Sequence, residues 1–361
     1  MFASGLVLRR ALSTLALVSP ALPSCSFATR SLLVPPFPSL HLHLMASVPP
    51  IHLVLDWDGT TTRRDTLHFL GKICADSAHY RSIKQDDAPS TATSWDDIVK
   101  AYLDDFNAHL SSYRPEKARR TTIADEKAWL ASLEAVESSS VRRVEEAAIF
   151  KGVTAEGVRN GAVKAVNSGE LELRPGWSAL LGQGIKTTIL SVNWSATFIR
   201  ECLRAAAAKE PDAESLQQAV ERITILANEI DGLSDPHGSS GLLNPPHPGA
   251  EGEKRGIRTS ADKIANMPTP VKYGGEELVV YVGDSATDFE ALLAADVGIC
   301  VRDEDEPSSG QKELAEALTR VGIEQHRIKL LAEMPPADDS AVRVYWAKNL
   351  QEVAMSLSSY G

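Results

Sequence analysis

A short apolar run, Ile51 to Leu55, ends abruptly in two carboxylates, Asp56 and Asp58. The run is typical of a buried β-strand, and the glycine that follows Asp58 lets the chain turn sharply. In an open α/β sheet, ligands bind beyond the carboxyl ends of the strands. Because side chains alternate along a strand, Asp56 and Asp58 are expected on the same side. Asp-Gly is also ordinary turn chemistry, so this motif alone is compatible with a purely structural turn.

A second acidic cluster follows another apolar run near the carboxyl end of the chain. Leu278 to Val282 lead into Gly283 and Asp284, and Asp288 comes four residues later. Residues four apart share one face of a helix. The sequence therefore predicts that Asp284 and Asp288 point at one place beyond a second strand.

Polar side chains also follow a third predicted strand between these clusters. The strand extends from Ile185 to Val192, and its end carries Ser191 and Asn193. Further along the chain, Lys263 lies in the segment TSADKIANM, in which Ser260 is a suitable helix start. A hydroxyl, an amide and an ammonium group thus join the carboxylates as candidate site residues.

Together these segments resemble the haloacid dehalogenase-like hydrolase superfamily, whose four motifs occur here in the expected order: DWDGT from Asp56, Ser191 at the end of TTILS, Lys263, and GDSATD from Gly283. The phosphoserine-phosphatase-like branch is similar in further stretches, namely DGTTTRRDT, RPGW at Arg174 to Trp177, and ILANEI at Ile225 to Ile230. The resemblance covers roughly residues 50–355. It implies an α/β fold with a doubly wound, mostly parallel, Rossmann-like sheet and an inserted all-helical cap.

The domain organisation predicted from this pattern has a core interrupted by the cap. The core comprises 49–66 and 174–361, the cap comprises 67–173, and 1–44 form a separate leader. Within the cap, TSWDDIVKAYLDDFNAHL carries apolar residues at helical spacing. Residues 234–256 combine proline, glycine and serine without apolar periodicity, which predicts a flexible surface loop within the core.

The resemblance implies a role for each motif. Asp56 is the expected nucleophile, because an aspartate can form an aspartyl-phosphate. Asp58 is the expected general acid and base, which serves both the leaving group and the attacking water. Ser191 is expected to donate a hydrogen bond to the phosphoryl group, and Lys263 to neutralise its charge.

A metal ion is the implied cofactor. Two unit charges about 4 Å apart interact by about 4 kcal/mol at an effective dielectric of ~20, so a carboxylate approaching a phosphate needs a counter-charge. Mg²⁺ prefers oxygen ligands and takes few carboxylates. The expected ligands are Asp56, the backbone carbonyl of Asp58, and Asp284, with Asp288 fixing a metal-bound water.

The expected substrate is a small phosphorylated metabolite, because a helical cap over the site leaves little room for macromolecules. Motif two is SVNW where the closest relatives usually have serine followed by two glycines, which suggests that Asn193 contacts the substrate. The other candidate substrate-binding residues are Thr60, Arg64 and Asp65.

Several alternatives stay open at this point. Dehalogenases lack an acid at the position of Asp58, so the sequence favours a phosphatase. A phosphonatase would use a cap lysine, for which Lys72 and Lys84 are candidates. A catalytically silent binding or regulatory protein is a further alternative. Lys254 and Lys272 compete with Lys263 for the third motif.

Charge and targeting signals restrict partners and location. The formal net charge is −11, and without the three arginines of the leader it is −14, which argues against nucleic acid. No stretch reaches the ~18 apolar residues of a membrane span. Residues 1–44 suit a mitochondrial transit peptide, with a secretory signal as the rival and translation from Met45, hence a cytoplasmic protein, as the third possibility. The four cysteines show no disulfide or metal-binding pattern, which favours an intracellular protein.

Overall fold

The computed structural model describes residues 49–77, 93–246, 256–334 and 344–358. In these ranges one seven-stranded sheet has the order β3-β2-β1-β6-β7-β9-β8, and every pairing in it is parallel. The predicted doubly wound α/β fold is therefore confirmed. The strands of the sheet are β1 (Ile51–Leu55), β2 (Lys186–Leu190), β3 (Thr224–Leu226), β6 (Leu278–Gly283), β7 (Val297–Val301), β8 (Gln325–Arg327) and β9 (Val344–Ala347).

The strand order reverses at β1, which lies between β2 and β6. Leu55 at the end of β1 pairs with Ile189 of β2 and with Val282 of β6. The three strands therefore end at the same edge. A reversal of strand order opens a crevice at that edge, where ligands bind in open α/β sheets. Every residue of β1 is buried, as expected for a strand covered on both faces.

Helices fill the connections between the strands. Between β1 and β2 lie α1 (Leu67–Ala75), α2 (Trp95–Ser112), α3 (Ile123–Ser132), α4 (Glu134–Glu146), α5 (Ala155–Ser168) and α6 (Trp177–Leu181). Between β2 and β3 lie α7 (Ala196–Ala207) and α8 (Ala213–Arg222). The later helices are α9 (Ser260–Ala265), α10 (Phe289–Ala294), α11 (Ser309–Arg320) and α12 (Leu350–Leu357).

The helical character predicted for the insert, residues 67–173, is present in its described part. Helix α2 begins after Ser94, whose hydroxyl accepts a hydrogen bond from the Asp97 amide in a reciprocal capping box. Its apolar stripe is buried at Ile98, Tyr102 and Phe106, at the predicted helical spacing.

The two ends of the insert lie side by side. Thr62 and Leu173 form an antiparallel bridge. The Arg63 amide donates to the Glu172 carbonyl at 3.0 Å, and the Arg174 amide donates to the Thr61 carbonyl at 2.9 Å. The chain thus leaves and re-enters the core at one point, directly after the acidic turn. The domain boundaries drawn from the sequence remain a prediction.

The loop predicted over 234–256 is more ordered than expected in its described part. Leu243–Asn244 forms strand β5, which pairs antiparallel with β4 (Glu229–Ile230). Ser239 is buried and exchanges backbone hydrogen bonds of 2.8 Å with Gly152 and Val153 of the insert. This part of the loop is therefore docked on the helical insert.

Several expectations fall on residues that the structure does not describe. They concern the leader 1–44 with Met45, and residues Lys84 and Lys254. Within the described ranges, no helix combines the length and the apolarity needed to cross a membrane.

Candidate active site

A tight turn after β1 carries the first motif. The Asp56 amide continues the strand pairing by donating to the Val282 carbonyl at 2.9 Å. Gly59 has a φ of 78°, a left-handed conformation that favours glycine. A Cβ atom at this position would lie 2.4 Å from Oδ2 of Asp284, so glycine is also required by the close approach of the two motifs. The Thr61 hydroxyl closes the turn on the Asp56 carbonyl at 2.6 Å.

Three buried carboxylates meet beside this turn. Asp56, Asp284 and Asp288 each offer an oxygen within 4.8 Å of the others, and we call them the carboxylate cluster. Burial raises the pKa of Asp56 to about 8, the charge of Asp288 adds to the rise, and Lys263 opposes it. Burial, reinforced by the charges of Asp56 and Asp288, also raises the pKa of Asp284 well above its usual range. The cluster is therefore a place where added positive charge is strongly favoured.

Lys263 supplies one positive charge to the cluster. Its Nζ lies 2.7 Å from Oδ1 of Asp56 and 2.6 Å from Oδ1 of Asp288, and its side chain is fully buried. Burial lowers the pKa of Lys263, but the Asp288 and Asp56 carboxylates outweigh it and raise the pKa above its ordinary value. Helix α9 positions the lysine through a capping box between Thr259 and Asp262.

Lys272, one of the two competing lysines, contacts another part of the protein. Nζ of Lys272 donates to the carbonyls of Leu293 and Ala295, at 3.1 and 2.7 Å, and so stabilises the carboxyl end of α10. Lys254 lies outside the described residues. The position predicted for motif three is thus the one that meets Asp56.

Asp288 accepts hydrogen bonds on both oxygens. Oδ2 lies 3.0 Å from the amides of Asp284 and Ser285, and Oδ1 receives the Tyr281 hydroxyl at 2.7 Å as well as Lys263. These bonds fix the carboxylate so that it orients the lysine. Tyr281 was not identified from the sequence, because a tyrosine in a buried apolar strand has the pattern of a core residue.

Asp58 is held separately from the cluster. Its Oδ1 accepts from the Thr66 amide at 2.7 Å and the Thr66 hydroxyl at 2.5 Å, and its Oδ2 accepts from Nδ2 of Asn193 at 2.9 Å. Burial raises the pKa of Asp58, and the hydrogen bonds from Thr66 and Asn193 oppose the rise. Thr66 was missed as a site residue, although it closes the motif DGTTTRRDT.

The end of β2 brings motif two to the same edge. Ser191 is fully buried, and its hydroxyl accepts from the Asn193 amide at 3.1 Å. Oδ1 of Asn193 accepts from the Ser195 amide at 3.2 Å. Both ends of the Asn193 side chain thus contact protein groups, with the amide nitrogen directed at Asp58. Contact between Asn193 and a substrate remains a prediction.

The remaining substrate-binding candidates differ in their surroundings. The Thr60 hydroxyl donates to Oδ1 of Asp284 at 3.2 Å and so helps to hold the cluster. Arg64 is exposed. Oδ1 of Asp65 accepts from the Leu67 amide at 2.9 Å, at the start of α1, and burial raises the pKa of Asp65 to about 7. Lys72 is exposed and forms an ion pair with Glu170.

Comparison with known proteins gives distant relatives. No family model matches the chain. A CTO1 family protein of Schizosaccharomyces pombe is 24% identical over 260 residues, which are 69% of this chain and 81% of that protein. A solved phospho-aspartyl intermediate analogue of phosphoserine phosphatase has 12% identity and a TM-score of 0.36, and the match covers 74% of this chain and 91% of that one.

A phosphoserine phosphohydrolase-like protein from Francisella tularensis subsp. tularensis has 13% identity and a TM-score of 0.36, over 84% of this chain and 98% of that one. With scores this low, the activity of this chain has to be argued from its own residues.

Proposed function

We propose that this chain, whose fold and motif order resemble the haloacid dehalogenase-like hydrolases, is a Mg²⁺-dependent phosphatase. Its substrate would be a small phosphomonoester, hydrolysed through an aspartyl-phosphate on Asp56. The observation that carries the proposal is the state of this carboxylate. Lys263 holds Oδ1 at 2.7 Å, while Oδ2 accepts no hydrogen bond from any described residue. One oxygen is anchored and the other is left for attack on phosphorus.

The carboxylate cluster fits a divalent cation. Three buried carboxylates lie within 4.8 Å of one another, and among the described residues only the ammonium of Lys263 contacts them as a cation. Asp284 accepts a single hydrogen bond from the described side chains, that of Thr60, and keeps acceptor capacity. Mg²⁺ would be held by Asp56, the Asp58 carbonyl and Asp284. When bound, it would supply positive charge to the phosphoryl group during transfer.

The residues of the chain would then carry two displacements. In the first, Oδ2 of Asp56 bonds to phosphorus while the bond from phosphorus to the ester oxygen breaks, and Asp58 donates its proton to the departing oxygen. In the second, Asp58 takes a proton from water, whose oxygen bonds to phosphorus while the bond from phosphorus to Oδ2 of Asp56 breaks, so that phosphate leaves and the Asp56 carboxylate is regenerated. Ser191 would donate to a phosphoryl oxygen, and Lys263 would orient Asp56 and, together with a bound cation, favour its ionised form.

The expected substrate size follows from burial. Asp56 is 3% exposed and Ser191 is fully buried, with the helical insert joined to the core directly after the acidic turn. A small phosphorylated metabolite suits such an enclosed site better than a macromolecule. The net charge of −11 argues in the same direction against nucleic acid.

Replacing the nucleophile tests the proposal. Asp56→Asn preserves the shape of the side chain but removes the attacking oxygen, so Mg²⁺-dependent hydrolysis of p-nitrophenyl phosphate should fall by about 10³-fold or more. Asp104→Asn, which changes an exposed aspartate paired with Lys100, is the matched control and should retain activity. Retained turnover in Asp56→Asn would refute the mechanism.

A silent binding protein is the competing function. It predicts no Mg²⁺-dependent turnover across a broad panel of phosphate esters, together with measurable ester binding. The four motif carboxylates are all in place, which favours turnover. A phosphonatase gains no support from Lys72, which is exposed and paired with Glu170; Lys84, the other candidate, lies outside the described residues.

A further inference from the structure

Arg174 contacts the acidic turn that follows β1. It belongs to none of the four motifs that form the site. Its side chain is 1% exposed, and all three guanidinium nitrogens donate hydrogen bonds. Nη2 lies 2.6 Å from the Gly59 carbonyl, Nε lies 3.1 Å from the Thr60 carbonyl, and Nη1 lies 2.7 Å from Oδ1 of Asp303. The planar guanidinium group has donors in fixed directions and so suits these three hydrogen bonds, which a lysine ammonium could not make in the same geometry.

The backbone around Arg174 is fixed on both sides. Its amide donates to the Thr61 carbonyl at 2.9 Å, at the point where the helical insert rejoins the core. Two residues later Gly176 has a φ of 90°, and a Cβ there would lie 2.0 Å from the Gln351 amide nitrogen of α12. The backbone that carries the Arg174 side chain is therefore fixed in position.

Asp303, which accepts a hydrogen bond from Nη1 of Arg174, is itself held in place. Oδ2 of Asp303 accepts from Nε2 of Gln311 at 3.0 Å, and the Asp303 amide donates to Oε1 of Gln311 at 3.1 Å. Gln311 is buried in the first turn of α11. A continuous polar network thus runs from α11 through Asp303 and Arg174 to the turn.

The turn held by this network lies directly against the carboxylate cluster. A Cβ on Gly59 would lie 2.4 Å from Oδ2 of Asp284, so the turn closely approaches this carboxylate, and a shift of the turn towards the cluster would displace Asp284. The peptide that links Asp58 to Gly59 also carries the carbonyl expected to bind Mg²⁺. Arg174 holds the next two carbonyls of the chain.

We propose that Arg174 is a positioning residue for the metal site. Its guanidinium fixes the Gly59 and Thr60 carbonyls, and thereby sets the Asp58 carbonyl against Asp56 and Asp284. Because Arg174 is also the first residue after the helical insert, it links the end of the insert to the turn that carries the site. This inference rests on the proposed function, since the ion concerned is the Mg²⁺ of that mechanism.

Mg²⁺ binding to the full chain, measured by isothermal titration calorimetry without substrate, tests the inference. Arg174→Ala should weaken Mg²⁺ binding by roughly tenfold to 100-fold, the usual effect of losing a residue that orients metal ligands. Guanidinium ion in the low millimolar range should restore affinity by occupying the space left by the side chain. Arg174→Lys should stay weak despite its charge.

Arg204→Ala is the matched control. Like Arg174, Arg204 pairs with acidic side chains, here Glu201 and Glu221, but its own side chain is 42% exposed and lies on α7. It should bind Mg²⁺ like the wild type. Unchanged affinity in folded Arg174→Ala, or an equal loss in Arg204→Ala, would overturn the inference.

A second variant decides the matter if Arg174→Ala does not fold. Asp303→Asn leaves the guanidinium in place but removes its charged anchor, and should weaken Mg²⁺ binding severalfold; unchanged affinity in this variant would again overturn the inference. A wild-type chain that binds no Mg²⁺ would refute the proposed function, and the positioning role of Arg174 with it. Wild-type binding that is insensitive to these substitutions would refute the positioning role alone.

Discussion

Nζ of Lys263 lies 2.7 Å from Oδ1 of Asp56, although 207 positions separate the two residues in the chain. The same ammonium lies 2.6 Å from Asp288, so one lysine bridges the first and last motifs. Both contacts are buried, where an ion pair is strongly coupled and its loss leaves uncompensated charge. The lysine therefore holds the first and last motifs together, in addition to the phosphoryl-binding role proposed for it.

Lys263→Met should destabilise the protein by about 3–5 kcal/mol in the absence of Mg²⁺, because it leaves buried carboxylates without their cation. Added Mg²⁺ should recover part of the loss. Urea unfolding with and without the ion measures both effects. Lys100→Met, at an exposed pair with Asp104, should change the free energy of unfolding by less than about 1 kcal/mol. Equal effects of the two substitutions would contradict this account.

The carboxylate cluster predicts how stability depends on pH without metal. The folded-state pKa of Asp56 is raised to about 8 from an ordinary value of 3.8. The folded protein therefore holds this proton more tightly than the unfolded chain. The stabilisation that comes from this proton is complete at pH values below the pKa of Asp56 in the unfolded chain. It is lost as the pH rises through the pKa of Asp56 in the folded protein.

The metal-free protein should accordingly lose unfolding free energy between about pH 4 and pH 8 relative to Asp56→Asn, which lacks the titrating group. Mg²⁺ should reduce the decline, because it competes with protons for the same oxygens. Chemical denaturation at a series of pH values measures the slope. A steeper rise of stability with pH in the wild type than in Asp56→Asn would be the wrong sign.

The strand ends of this site were predictable because each apolar run stops at a polar motif. Asp56, Ser191 and Asp284 all follow buried strands, and parallel pairing places them at one edge. Lys263 was predicted as the lysine of motif three from the order of the motifs and from its distance along the chain to Asp284. The helix α2 followed from its apolar period.

Other contacts could not be inferred from the sequence pattern, even where the residue lies within a motif, as Thr66 does. Tyr281 points at Asp288 from within a strand whose neighbours are all apolar, so its hydroxyl bond depends on the tertiary fold. Thr66 reaches Asp58 only because the chain turns back between them. The docking of Ser239 on the helical insert rests on backbone hydrogen bonds to Gly152 and Val153, and the two-residue strands near it carry no periodicity.

Two substitutions in motif two should affect catalysis differently. Asn193→Ala removes the amide donor that holds Asp58 at 2.9 Å, so it should slow esters with poor leaving groups more than aryl phosphates. In the proposed mechanism, poor leaving groups need the proton that Asp58 would deliver. Ser191→Ala should weaken all esters similarly, by about 0.5–3 kcal/mol, because its hydroxyl is expected on the phosphoryl group. Values of kcat/KM across a leaving-group series test both, and the reverse pattern would exchange the two roles.

Gly59 offers the sharpest test of the contact between the turn and the cluster. Gly59 and Gly169 have similar φ angles, 78° and 75°, so an alanine is strained at both. A Cβ at Gly169 meets nothing within 4 Å, whereas a Cβ at Gly59 would lie 2.4 Å from Oδ2 of Asp284. Gly169→Ala should cost only the backbone strain, about 1–2 kcal/mol, and keep Mg²⁺ affinity and turnover. Gly59→Ala should lose both, because Asp284 has to move. Calorimetric Mg²⁺ binding and turnover of p-nitrophenyl phosphate, measured on both variants, check this difference. If Gly59→Ala binds Mg²⁺ as well as Gly169→Ala does, Asp284 does not need its observed position to hold the ion.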